Sequence, residues 1–117
     1  MKYCILLVTM VFFFAGEAVA AQQEGPEGTK AIYQNICQAC HGETGDGNGP
    51  IAPTLRTKPR DFKKLTKKSE EHLFKVIKEG GAAVKLSPLM PPYGPQLKDE
   101  EIREMVRHVL SFNQSKK

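Results

Sequence analysis

Cys37-Gln38-Ala39-Cys40-His41 is the place in this chain where residue types and spacing together specify a chemistry. Two thiols at this spacing on a helix end can reach both vinyl groups on one edge of a porphyrin and form thioether bonds. This is the C-x-x-C-H pattern of covalent haem attachment. The next residue, His41, then lies under the iron. One neutral imidazole nitrogen can serve as the proximal ligand while the other donates to a backbone carbonyl. A thioredoxin-like redox pair would need a preceding strand and a βαβ setting, and neither is legible. A zinc site would need two further ligands, and only His72 and His108 remain, each on an expected helix. A bare disulfide leaves His41 and the loops around it without a purpose.

The cysteine count sharpens this reading. Lys2, the apolar run from Ile5 to Phe14 and the small-x-small Ala18-Val19-Ala20 have the form of a secretory signal peptide over residues 1–20. The apolar run is shorter than the roughly 20 residues of a bilayer-spanning helix. Cys4 leaves with the signal, so Cys37 and Cys40 become the remaining thiols, in a compartment that normally favours disulfides. The expected location is periplasmic, with no stable membrane insertion after cleavage.

Several elements must position the motif. Residues 21–27 are polar and contain Gly25-Pro26, so they read as a flexible lead-in to a domain spanning 28–113. Thr29 is a candidate N-cap, and Ile32, Tyr33 and Ile36 recur at helical spacing up to Cys37. Residues 42–60 are too rich in glycine and proline for a regular element. A long loop of this kind is expected to wrap something. Ser69 as cap, Glu70 and Glu71 in the first turn, apolar Leu73, Phe74, Val76 and Ile77, and Gly80-Gly81 as a stop describe a second helix. Ser87–Pro95 holds four prolines around Leu89, Met90 and Tyr93 and reads as a stiff, extended second loop. Asp99-Glu-Glu opens a third helix with an apolar stripe of Ile102, Met105, Val106, Val109 and Leu110. Residues 114–117 read as a disordered basic tail. The fold class expected is all-α, with three main helices and long loops around one covalent haem.

A soft thioether opposite histidine raises the potential of a haem iron. After signal removal two methionines remain. Met105 falls on the stripe of the last helix, where methionine is usually core filler. Met90 lies in the proline-stiffened loop, where less entropy is lost on coordination. Met90 is therefore the expected second axial ligand. Still open are an apolar role for Met90 with five-coordinate iron, or a ligand from His72 or His108. His72, beside Glu70 and Glu71, reads as a surface residue.

The helix ending C-Q-A-C-H-G, the loop G-D-G-N-G-P-I-A-P-T-L and the late M-P-P-Y-G resemble the class I cytochromes c, across residues 28–113. The resemblance implies N- and C-terminal helices that cross near the haem, one-electron transfer as the function, and use of the late-loop methionine, here Met90. It further implies that the Pro53 carbonyl accepts the hydrogen bond from His41 and that Leu55 packs on the haem. By the same resemblance, His108 stands where an aromatic usually faces the first helix near Tyr33. Arg56, Lys58, Arg60 and Tyr93 are the expected candidates for pairing with the propionates.

These readings converge on a periplasmic one-electron carrier with one haem c per chain and redox proteins as donor and acceptor. A haem-based small-gas sensor, with an open or labile sixth position, is the alternative. No distal acid–base pair suits peroxide cleavage, so an enzyme is not expected. The chain counts 17 basic and 13 acidic residues and carries +4. Six of its cations, Lys58, Arg60, Lys63, Lys64, Lys67 and Lys68, fall in one stretch. Such a run is usually a solvated face, or it can steer the protein to an acidic patch on a redox partner. A nucleic-acid partner is not expected.

Overall fold

A computed structural model of the chain describes residues 25–114. The expected signal peptide with Cys4, the start of the lead-in, and residues 115–117 of the expected tail lie outside the described residues. Among the described residues the regular structure is entirely helical, with no strand. None of these helices is long and apolar enough to cross a membrane.

The first helix runs as α1, Pro26–Ile32, then a wide π turn, Tyr33–Cys37, then α2, Gln38–His41. It begins earlier than expected. Proline fits the first turn of a helix because its missing N–H has no intrahelical partner there. Pro26 and Glu27 thus belong to α1 and not to a flexible lead-in. Thr29 is a buried residue inside the helix, and its hydroxyl donates back to the Gly25 carbonyl at 3.2 Å. Tyr33, only 2% exposed, is the helix's main anchor in the core.

The second helix, α3, spans Glu70–Glu79 as its signals require: the Ser69 hydroxyl accepts from the His72 N–H at 3.2 Å, and Gly80 ends it at φ 84°. The last, α4, spans Asp99–Gln114, reaching the first residue of the expected tail. Its stripe buries Ile102, Met105, Val106 and Val109, with Leu110 partly buried beside them. Both α1 and α3 pack on α4, as does a short 3₁₀ turn at Phe62–Lys64. The expected approach of the N- and C-terminal helices is therefore present. The His108 ring stands 5.0 Å from that of Tyr33 in an edge-on contact across this junction.

Met105 is 1% exposed at the centre of the core, with Ile102 and Val106, as its place on the stripe implies. The core continues through Phe62, Leu65, Leu73 and Ile77 toward a partly buried fringe that includes Ile36, Cys37, Met90 and Tyr93. That fringe is the edge of a cavity.

Candidate functional site

A cavity of about 550 Å³ opens between the end of the first helix, α3 and the two long loops. This is a typical volume for a small-molecule or cofactor site. Cys37, Cys40, His41 and Met90, the four residues expected to hold the haem, all line it. So do Leu55, Leu65, Leu73, Val76, Ile77 and Leu89, which give the wall its apolar character.

The motif sits where a helix end meets a loop folded tightly back over it. Gly47, Gly49 and Ile51 donate their N–H groups to the carbonyls of His41, Cys40 and Ala39 at 2.8, 3.1 and 3.1 Å. These bonds satisfy carbonyls that a helix C-terminus otherwise leaves unpaired. Gly49 is required by space: a Cβ there would stand 2.2 Å from the Ala39 carbonyl oxygen. Both cysteines are free and half-buried. Burial, with Cys40 alongside, pushes the Cys37 thiol up to about 11, so it stays protonated at neutral pH and is a poor thiolate nucleophile.

His41 is oriented from two sides. Its ring stacks on Phe62 at 4.5 Å with 21° between planes, and Nδ1 lies 3.2 Å from the Arg60 carbonyl. A carbonyl can only accept, so Nδ1 carries the proton and Nε2 presents a free lone pair. Burial pulls the imidazole's pKa down, which favours the neutral form a metal ligand needs.

The carbonyl partner corrects the expectation of Pro53. Ile51 is tied to Ala39, and residues Ala52–Thr54 coil into a 3₁₀ turn that leaves Pro53 exposed. The Phe62 N–H donates to the Gly45 carbonyl at 2.7 Å and draws residues 60–62 back over the helix end. Arg60 therefore delivers the carbonyl that the resemblance gave to Pro53. Leu55 does line the cavity, as expected.

Met90 reaches the cavity on a segment strapped to the end of α3. Its carbonyl accepts from the Gly81 N–H at 2.9 Å, while Tyr93 and Gly94 donate to the Ile77 and Lys78 carbonyls at 2.9 and 3.0 Å. Here too a glycine is needed, because a Cβ on Gly81 would stand 2.1 Å from the Ser87 carbonyl oxygen. Met90 is half-buried, packed against the core on one side and open to the cavity on the other. Burial raises the Tyr93 phenol's pKa, and the neighbouring cysteines add to the effect.

Two residues have roles that sequence reasoning did not find. Phe62 gives no periodic signal, standing alone among charges in Arg60-Asp61-Phe62-Lys63-Lys64. Its isolation as the one apolar residue of that stretch is the clue that was present. His72 was read as a surface residue, but it is half-buried and lines the cavity from the first turn of α3. His108 packs on Tyr33 and Phe112 and is not among the cavity residues.

An all-helical chain that closes two loops over a C-x-x-C-H helix end is a c-type cytochrome domain. The family model described as cytochrome c oxidase, cbb3-type, subunit III matches residues 25–109, and the chain belongs to that family. No curated protein is a significant match. Membership implies haem c as the cofactor and haem-based electron transfer as the activity. The residues present fit that group: two free thiols, an imidazole with an open Nε2 and one thioether border a single apolar cavity.

Proposed function

We propose that the chain is a periplasmic one-electron carrier holding one haem c, fastened through Cys37 and Cys40 and ligated axially by His41 and Met90. The observation that carries this reading is the meeting of these four side chains around one cavity, from segments 49 residues apart in sequence at their nearest. The haem, when bound, supplies reversible one-electron exchange at its iron. The chain's own residues do the rest. The cysteines would fix one edge of the group, and Arg60 and Phe62 hold the His41 ring with Nε2 left open to serve as the ligand. The apolar lining excludes water, which favours the less charged reduced site. The signal-like residues 1–20 support export.

A carrier needs a donor and an acceptor, and both are proposed to be redox proteins. The family's description names an oxidase subunit, which supports an oxidase as the kind of partner.

The test compares the two methionines. Met90→Ala in the holoprotein should abolish the near-infrared sulfur-to-iron band of the oxidised form and lower the reduction potential. Met105→Ala should keep the band while costing ~2–5 kcal/mol of stability, since it empties a fully buried site. Loss of the band in Met105→Ala with retention in Met90→Ala would overturn the ligand assignment. A wild-type protein that lacks the band and binds CO rapidly when reduced would favour the gas-sensor reading instead.

A further inference from the structure

We propose that Tyr33 is a positioning residue for His41: its hydroxyl fastens the turn on which the hydrogen bond to His41 Nδ1 depends, and through that bond it helps to set the reduction potential. The inference rests on the haem reading above and extends it to a side chain that does not border the cavity.

Tyr33 opens the π turn of the first helix, Tyr33–Cys37. A π turn acts as one residue inserted into an α-helix, and such insertions are frequent at functional sites. With it, Tyr33 and His41, eight positions apart, take the phase of residues seven apart in a regular helix and fall on one face. The contacts agree. Phe62 meets both rings, stacked on His41 with centroids 4.5 Å apart and edge-on to Tyr33 at 6.5 Å.

A phenol as deeply buried as that of Tyr33 needs a hydrogen-bond partner. The partner is the carbonyl of Gly42, the residue after the ligand, which accepts at 2.6 Å. The same carbonyl accepts from the Gly45 N–H at 3.2 Å, and the Gly45 carbonyl accepts from the Phe62 N–H at 2.7 Å. That last bond draws in the segment whose Arg60 carbonyl meets His41 Nδ1. Two routes therefore lead from Tyr33 to the ligand. One is a chain of hydrogen bonds that ends on Nδ1, and the other is a pair of ring contacts through Phe62 that ends on the imidazole plane. The first has an electronic consequence. A carbonyl that draws on the Nδ1 proton makes Nε2 a stronger donor, which stabilises ferric iron and lowers the potential. A loosened turn weakens that bond and raises the potential.

Tyr33→Phe separates the routes, because it keeps the ring and deletes only the hydroxyl. Val106→Ala is the control: Val106 is as deeply buried in the same core but does not border the cavity and has no hydrogen bond to lose at its side chain. For each holoprotein the reduction potential, the solvent exchange rate of the His41 Nδ1 proton by NMR, and the thermal midpoint are measured against wild type.

Tyr33→Phe should shift the potential upward and speed the exchange of the Nδ1 proton. Val106→Ala should lower the thermal midpoint and leave the other two quantities at their wild-type values. A Tyr33→Phe protein with a lowered midpoint but unchanged potential and exchange would mean that the hydroxyl serves only the core, and would overturn the proposal. Equal shifts of potential in the two variants would overturn it as well. Either result leaves the haem reading standing. Failure of the haem reading itself shows earlier and differently, as wild-type protein with no covalently retained haem on a denaturing gel.

Discussion

The two loops that enclose the cavity are held by different means. Residues 42–61 fold back on the helix that precedes them, and their bonds run to the carbonyls of Ala39, Cys40 and His41. Residues 81–95 are held by a partner helix, through Gly81 and the carbonyls of Ile77 and Lys78 at the end of α3. The first arrangement ties the loop to the helix that carries the motif, and Arg60 and Phe62 complete the His41 side from the far end of that loop. The second ties the loop to a helix outside the motif, so Met90 is placed by the end of α3. One side of the site is therefore anchored on the motif helix itself, and the other on a separate helix.

The sharpest way to break this contrast is to add a methyl group at the glycine that each loop requires. Gly49→Ala would set a Cβ 2.2 Å from the Ala39 carbonyl oxygen, with the Gln38 carbonyl oxygen at 2.6 Å. Neither is a flexible side chain, so the loop must lift from the helix end. A loss of ~3–4 kcal/mol is expected in denaturant unfolding. Gly81→Ala should cost less, ~1–3 kcal/mol, because the strap can shift away from α3. Its signature is selective: the sulfur-to-iron band weakens or disappears while the haem remains attached and ligated by histidine. If Gly81→Ala leaves that band intact and Gly49→Ala removes it, the anchors of the two loops are assigned the wrong way round.

Signals carried within one element could be read in the sequence, and contacts between elements could not. The C-x-x-C-H motif, the Ser69 cap, the Gly80 stop and the apolar stripe of α4 are local signals, and each matches the structure. Met90 could be singled out because the prolines restrict its loop and the other remaining methionine lies on a helical stripe. The hydrogen-bond partner of His41 was not legible. Which carbonyl arrives at Nδ1 depends on how 18 intervening residues fold, and the Phe62–Gly45 bond that decides it has no sequence signature. Phe62 and His72 were missed for the same reason. Neither belongs to a recognisable pattern, and both acquire their place through packing. The start of α1 was misjudged because a Gly-Pro pair reads as a turn, although proline is equally suited to the first turn of a helix.

A gentler probe acts at the junction of α1 and α4. His108 lies against Tyr33 and Phe112, and burial lowers its pKa, with the Lys30 cation on α1 adding to the effect. A histidine held neutral by the fold makes the unfolded chain bind more protons as the pH falls through the ordinary histidine range. Its contribution is therefore fully present above the unfolded pKa of about 6.5 and is lost progressively below it. His108→Phe keeps an aromatic ring beside Tyr33 and removes the titration. The variant should lose less stability than wild type between neutral and mildly acid pH, as measured by thermal unfolding of the holoprotein. Parallel curves for the two proteins would show that the junction does not sense protonation.

The smallest expected effect lies in the strap. Lys85 is the one non-glycine residue with positive φ among those described, at φ 59° and ψ 32°, in the turn that carries the chain from α3 toward Met90. A side chain in this left-handed region costs roughly 1–2 kcal/mol. Glycine adopts the region freely but loses roughly 0.5–1 kcal/mol of chain entropy on folding. Lys85→Gly should thus raise stability by a net ~0.5 kcal/mol. The hydrogen bonds from Lys85 and Leu86 to Ala82 and Gly81 use only backbone atoms, so the turn itself should survive the change. Because the strain sits in the loop that carries Met90, relieving it should slow the loss of the sulfur-to-iron band on heating and leave the attachment side unaffected. A destabilised Lys85→Gly would mean that the lysine side chain contributes more to the strap than its backbone conformation costs.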